Sequence, residues 1–390
     1  VGARPRRTRR EGACVPLLLW NQALIASIIV AVVWTALFLR SLRGLSATPR
    51  LLPGGTSRAR AIAFVPARNE AEVIERSIDA LLRQGEALEA IVAIDDASTD
   101  RTGEILSRIA VGAEGRLIVR TGTGPKAGEC GKPAALAEAV EEEASAAEWL
   151  LFVDADVVLE PGAVTALLAA AEKEQVDLVS IVPRVEMKSA LEHLMMPAVG
   201  ALVLAQYPPE RVRDPKRKDA FANGQLILVR RASYHAAGGH RAVVREILED
   251  VRLAEAVKKA GGRLLVADGG AIASTHMYAS FSEIVEGWSK NLYLLLGSSA
   301  LRSFFWAAAA IVLSWIGPVL AVVDFPYGIG AWALILVYQI VLRRKGGAPG
   351  LWAIFAPIAS LLSAWLIVRS TRLHTTNRAI HWKGRAYRPR

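Results

Sequence analysis

The sequence predicts an α/β fold: a doubly wound, mostly parallel sheet with transmembrane helices flanking it in the chain. Three observations carry this. Between about residues 61 and 300, short apolar runs alternate with amphipathic helical patterns. Buried strands that alternate with helices build a parallel sheet covered on both faces. Long uncharged runs stand before and after that region. The chain is also 53% hydrophobic over 390 residues, with a mean hydropathy of +0.31, high for a chain surrounded only by water.

The elements follow in order. Residues 1–14 form a basic tail with five Arg among the first ten positions. Val15 to Leu39 carries no charged residue; as a helix it would extend roughly 37 Å, enough to cross a bilayer. It is too long for a signal-peptide core and no small-residue cleavage site follows, so 15–39 reads as an uncleaved anchor. Within 61–300, "AIAFVPA", "AIVAIDDAS", "RLIVRT" and "WLLFVDAD" read as strands, and "EAEVIERSIDALLRQ", "TGEILSRIA" and "KPAALAEAVEEEA" as helices. Leu194 to Tyr207, inside 190–208, is uncharged but too short to span. It fits either a buried core helix or a helix lying on the membrane beside the basic "RVRDPKRK". The region 303–368 holds three more uncharged runs: Ser303 to Val323, Phe325 to Leu342 and Gly350 to Val368. The last two are short and carry Pro326 and Pro357, which admits tilted, interfacial or re-entrant helices. Residues 369–390 form a second basic tail. No fixed-period repeat is visible, against a solenoid.

Net charge is +10 and the isoelectric point about 9.8. Such a balance suits an anionic partner. The aromatic interleaving of a nucleic-acid-binding sheet is missing, so the membrane surface is the expected partner and nucleic acid is not. Cys14 and Cys130 are the two cysteines. They give neither a disulfide framework nor a metal spacing, and fit a reducing compartment.

Chemistry is expected at the carboxyl ends of the strands, where open α/β sheets bind ligands. The first strand ends in "VPARNE", the second in "DDASTD" and the fourth in "DADV". Neither GxGxxG nor GxxxxGK[ST] follows a strand, which weakens the dinucleotide-binding and P-loop readings. Asp154 and Asp156 end an apolar run one residue apart, and such a pair suits Mg²⁺ or Mn²⁺ completed by substrate phosphates. Lys132 precedes Pro133 in "GECGKPAAL", and a helix N-terminus with a nearby Lys attracts phosphate. The alternative there is a surface loop with an ordinary helix start. Glu249 and Asp250 open another helical pattern. They would stabilise its dipole, or one would serve as general base. Trp288 and Lys290, in "EGWSKNLY", would contact substrate or anchor the membrane interface.

The ordered set "VPARNE", "DDASTD", "GKPAAL", "VDAD", "LED" and "GWSKN" resembles the membrane-bound family 2 glycosyltransferases, over about 230 residues. "HWKGRAY" and "MMPAVGALVLAQYPPERVRDP" are similar to the hopanoid-associated and carotenoid branches, and "GWSKN" to ceramide glucosyltransferases. The resemblance implies a nucleotide-sugar-binding fold of the glycosyltransferase A type over 61–300. By it, Pro66, Arg68 and Glu70 line the nucleotide pocket, and Asp95 and Asp96 bind base and ribose. Lys132 lies beneath the nucleotide, and Gly224 and Gln225 touch substrate. Asp154, itself a substrate contact, and Asp156 hold the metal; Asp250 is the catalytic base, with Glu249 beside it. Trp288 and Lys290 fall where processive members carry Gln-x-x-Arg-Trp, a departure that speaks against long-polymer synthesis. The implied reaction is inverting transfer of a hexose from a nucleotide-diphosphate sugar to a lipid or lipid-linked acceptor. It would take place in the bacterial inner membrane, with the catalytic domain cytoplasmic. Two alternatives stand beside it. A nucleotidyltransferase-like enzyme would carry a glycine-rich loop after the first strand, which "PARNEAE" lacks. A catalytically degenerate membrane scaffold would not be expected to keep Asp154, Asp156 and Asp250.

Overall fold

The computed structural model describes residues 14–143, 147–278, 280–376, 378–382 and 385–387. The basic N-terminal run lies outside the described residues, as does part of the C-terminal one. Helix α1 (Cys14–Ala47) is followed by β1 (Ala61–Ala67), α2 (Ile74–Leu82), β2 (Leu88–Asp95), α3 (Thr102–Gly112), β3 (Leu117–Thr121), α4 (Gly131–Glu142) and β4 (Trp149–Val153). The next stretch is less regular: β5 (Val157–Leu159), α5 (Ala163–Glu174), β6 (Leu178–Val182), β7 (Arg184–Val185), α6 (Ala190–Gln206), α7 (Pro209–Arg213) and β8 (Leu226–Arg230). Then come α8 (Arg231–Ala236), α9 (Gly239–Ala242), α10 (Glu249–Lys259), β9 (Leu264–Asp268) and β10 (Ala273–Thr275). The chain continues through α11 (Phe281–Leu295), α12 (Ala300–Val323), α13 (Tyr327–Lys345) and α14 (Ala356–Thr375) to a hairpin, β11 (Ile380–Trp382) and β12 (Arg385–Tyr387).

Among the described residues the main sheet has the order β3-β2-β1-β4-β8-β6-β9. The first four strands in that order run parallel, as do β6 and β9, while β8 lies antiparallel between β4 and β6. Strand β1 shows why the expected apolar runs are continuous rather than alternating. Ala61, Ala63 and Val65 face a core built with Ile74 and Ile78 of α2 and Leu167 of α5. Ile62 and Phe64 face the opposite core, with Leu136 and Val140 of α4 and Leu253 of α10. Both faces of the strand are therefore dry, which selects apolar residues at every position.

Register sets the position of the site. Ala67 pairs with Asp95, and Phe64 pairs with Phe152. The strands β1, β2 and β4 thus end along one edge, and their outgoing loops share a crevice. Beside it lies a small sheet, β5-β10-β7.

A third core joins the sheet domain to the long helices. Met195, Met196 and Val199 of α6 pack with Ile284, Trp288 and Leu292 of α11 and with Leu366 and Ile367 of α14. The apolar run at 194–207 thereby buries one face of α6 between these helices. Three helical stretches are long and apolar enough to cross a membrane among the described residues: Leu24–Ala47, Ala300–Val323 and Gly350–Thr375. The run at 325–342 is also helical, as α13, with Arg343, Arg344 and Lys345 in its last turn. Outward positions stay apolar: Ile29, Val32, Phe304, Phe305, Val322 and Leu351 are exposed, a surface suited to hydrocarbon rather than water. Polar pairs hold the bundle together, the Ser27 hydroxyl donating to buried Asp324 and Thr35 meeting Tyr338 at 3.0 Å.

Candidate active site

The first wall of the crevice is a pair of loops sewn together by short side chains. Asn69, held at φ 53°, accepts from the Thr99 amide at 2.8 Å, and its own amide donates to the Ser98 hydroxyl at 3.1 Å. The Glu70 amide donates to the Thr102 hydroxyl at 2.8 Å. Asp100 accepts from the Thr102 hydroxyl, 2.6 Å, and from the Ala71 amide, 3.1 Å. Burial works against the Asp100 charge, but these donors outweigh it and hold its carboxyl below the usual range. Pro66 is half-buried at the end of β1. Arg68 donates to the carbonyls of Asp96 and Ala97, both at 2.7 Å. Asp95 is turned into the loop: its Oδ1 accepts from the Ser98 amide at 3.0 Å. A Cβ at Gly103 would lie 2.5 Å from its Oδ2. Asp96, by contrast, is buried and meets Arg385 of the C-terminal hairpin.

The second wall gathers groups from three distant stretches of chain onto Lys132. Its ammonium lies 2.6 Å from Asp154 Oδ1 and 3.1 Å from Glu249 Oε1, and donates to the Gly224 carbonyl at 3.2 Å. Burial disfavours the lysine charge, yet Asp154, Glu249 and Asp250 together raise its pKa above the ordinary lysine range. Asp250 is held from two sides: Oδ2 accepts from the Gly224 amide and Oδ1 from the Val251 amide, each at 2.8 Å. Burial, and then the adjacent Glu249 charge, push its carboxyl up to about 6. Gln225 supports the same cluster, its carbonyl accepting from the Asp154 amide at 3.0 Å and its side chain from Asn223 at 2.9 Å. Lys132, Asp154, Gly224, Gln225, Glu249 and Asp250 therefore form one connected group.

Asp156 lies two residues on from Asp154, in the turn between β4 and β5. Its Oδ2 accepts from the Thr275 hydroxyl at 3.0 Å, because Val157 and Thr275 are register partners. Among the described residues no three His, Cys, Asp or Glu side chains are arranged to hold a metal ion. Asp154 and Asp156 nevertheless offer the hard oxygen donors that Mg²⁺ and Mn²⁺ take, and one or two carboxylates plus substrate phosphates is the usual arrangement for Mg²⁺. The residues fit the ion in kind.

Trp288 and Lys290 come from α11. Burial pushes the Lys290 ammonium below its ordinary range, with Glu249 opposing and Lys132 assisting, so its charge faces the same cluster. Trp288 packs in the third core, and among the described residues its buried indole N–H has no hydrogen-bond partner.

A crevice at parallel strand ends that joins a lysine, an Asp-x-Asp pair and a carboxylate of raised pKa gathers groups suited to acid–base chemistry. Residues 62–247 match the family model of glycosyl transferase family 2. Over those residues the chain is similar to the family 2 glycosyltransferases. It is 25% identical over 344 residues to 4,4'-diaponeurosporenoate glycosyltransferase of Staphylococcus aureus, covering 83% of this chain and 87% of the relative. Among solved structures it is similar to a mannosyltransferase from Pyrobaculum calidifontis in complex with GDP-Man and Mn²⁺. That likeness has a TM-score of 0.56 and 17% identity over 92% of this chain and 99% of the other. It shows the fold, glycosyltransferase A-type, as the sequence analysis expects.

Two contributors to the site escape the sequence reading. Thr275 sits in a three-residue strand too short to show a period. Arg385 lies in a run that composition alone reads as a basic tail. The signal there is "HWKGRAY", which carries a family resemblance but gives Arg385 no role.

Proposed function

We propose that this chain is an inverting, metal-dependent hexosyltransferase that moves a sugar from a nucleotide-diphosphate donor to a hydroxyl of a lipid or lipid-linked acceptor. The donor lies across the strand ends, its nucleoside toward Asp96 and Arg68 and its diphosphate toward Lys132. Asp154 and Asp156 would hold Mg²⁺ or Mn²⁺, which when bound supplies charge neutralisation for the departing diphosphate. Asp250 takes the acceptor hydroxyl proton as the oxygen attacks the anomeric carbon. The bond from that carbon to the diphosphate oxygen breaks on the opposite face, inverting the centre. Lys132 stabilises the charge developing on the leaving group.

One observation carries this reading: Asp250 is pinned by two amides beside the Lys132–Asp154 pair, with its carboxyl raised to about 6. A base poised near the working pH is the most effective kind. An apolar acceptor is supported by the three membrane-length helices and by the relative named for diaponeurosporenoate. The Mn²⁺ complex of the similar mannosyltransferase supports the metal. Nucleotide sugars are cytosolic in most organisms, which supports a cytoplasmic face for the domain.

The test incubates membranes containing the protein with radiolabelled UDP- and GDP-sugars, then extracts lipid. Label should enter the lipid fraction with one donor. Asp250→Asn should cut transfer by about 10² to 10⁴ while UDP or GDP binding persists. Near-normal turnover in that variant removes Asp250 from the scheme.

A further inference from the structure

The described residues of the C-terminal hairpin lie against the donor crevice. At the end of α14, His374 is buried, stacks on Tyr293 with ring centroids 5.2 Å apart, and meets the Lys290 carbonyl at 2.9 Å. The Arg378 amide then donates to the Leu373 carbonyl at 3.1 Å, and Ile380 is buried. Arg385 meets Asp96, which lies 289 positions earlier in the chain. The guanidinium takes the carboxylate in a fork: Nη1 donates to Oδ2 and Nη2 to Oδ1, the latter at 2.9 Å. Nη2 also donates to the Asp96 carbonyl at 3.3 Å.

Little of the pair sees water. The Arg385 side chain is 17% exposed and that of Asp96 6%. Two such charges stay buried only as partners. The surrounding backbone makes room for them. A Cβ on Gly131, at the start of α4, would lie 1.8 Å from Arg385 Nη1 and 2.8 Å from Asp96 Oδ2. A Cβ on Gly122 would lie 3.3 Å from the Asp96 Cα. Glycine at both places clears the volume that the fork occupies.

We propose that Arg385 is a positioning residue of the donor pocket, fixing Asp96 for the nucleoside and making the C-terminal hairpin a wall of the site. A carboxylate offers about four acceptor positions, and a bidentate Arg uses two. The remaining two are left, in a set orientation, for donors on a ribose or base. The inference rests on the reading that the donor lies against Asp96.

The experiment titrates UDP and GDP, each with Mn²⁺, into the full-length protein in detergent. It compares wild type, Asp96→Asn, Arg385→Ala, Arg385→Lys and the double variant Asp96→Asn with Arg385→Ala. The nucleotide that binds wild type should bind Arg385→Ala about tenfold more weakly, with Lys recovering part of the loss because it keeps the charge but not the fork. The double variant should bind no more weakly than Asp96→Asn alone, since the two residues act as one unit. In turnover the loss should appear in donor KM rather than in kcat, a split that general destabilisation would not produce. Unchanged affinity in both Arg385 variants overturns the inference. Tighter binding also overturns it, making the hairpin a plug that must leave. Additive losses would show Arg385 acting apart from Asp96, against the proposal. If wild type binds neither nucleotide, or Asp96→Asn binds as wild type does, the donor reading itself fails and takes this inference with it.

Discussion

Gly224 shows how much of the proposed catalytic geometry hangs on a missing side chain. Its amide orients Asp250, its carbonyl holds Lys132, and the next carbonyl, of Gln225, holds the Asp154 amide. A Cβ there would lie 2.7 Å from Asp250 Oδ2 and 3.1 Å from its Cβ, so Gly224→Ala must turn the carboxylate away. Initial rates should fall by about 10², with UDP or GDP affinity within a few-fold of wild type by titration. The raised Asp250 pKa of about 6 gives a second expectation. The base works deprotonated, so kcat/KM should be flat above that pH and fall about tenfold per unit below it. A profile flat down to pH 5 would assign the proton elsewhere. Lys132, Asp154 and Asp250 were legible because each ends a strand or opens a helix, places where a charge must be answered. Arg385 was not, because a contact 289 positions away leaves no local pattern.

At the scale of elements, β1, β2 and β4 were legible for the same reason that they are stable. Both their faces are buried, so the sequence runs apolar between loops that must be polar. The antiparallel β8 was not. "LILVR" carries the same composition as its parallel neighbours, and strand direction is set by the connections, not by the residues. The fixed seam between α11 and α14 was equally hidden. The Tyr293 amide donates to the Ser370 hydroxyl at 2.9 Å, and Arg369 Nε donates to the Ser289 hydroxyl at 3.1 Å. Ser370 is fully buried, so Ser370→Leu both removes an acceptor and overpacks the seam. That should cost about 2 kcal/mol and lower turnover by moving Trp288 and Lys290. Thermal melts and initial rates on the detergent-solubilised protein check both. A variant with a lowered Tm and unchanged kcat would show that α11 does not tune the chemistry.

At the scale of the whole molecule, a water-facing α/β layer stands on a bundle whose outer side chains, Phe304, Phe305 and Val322 among them, are exposed and apolar. Composition revealed both parts, because a parallel sheet and a lipid-facing helix each demand apolar runs, distinguished by length. What composition could not give is how rigidly they are joined. The seam along α14 ties the two together, so under the proposed function the Asp250 carboxylate would stand at one height above the hydrocarbon. An enzyme mounted in this way acts as a depth gauge. It should sense how far an acceptor hydroxyl rises from the lipid plane and ignore how long the buried tail is. In nanodiscs, synthetic alcohols that differ only in tail length should be glycosylated at equal rates, and those whose hydroxyl is shifted by one or two carbons along the headgroup should not.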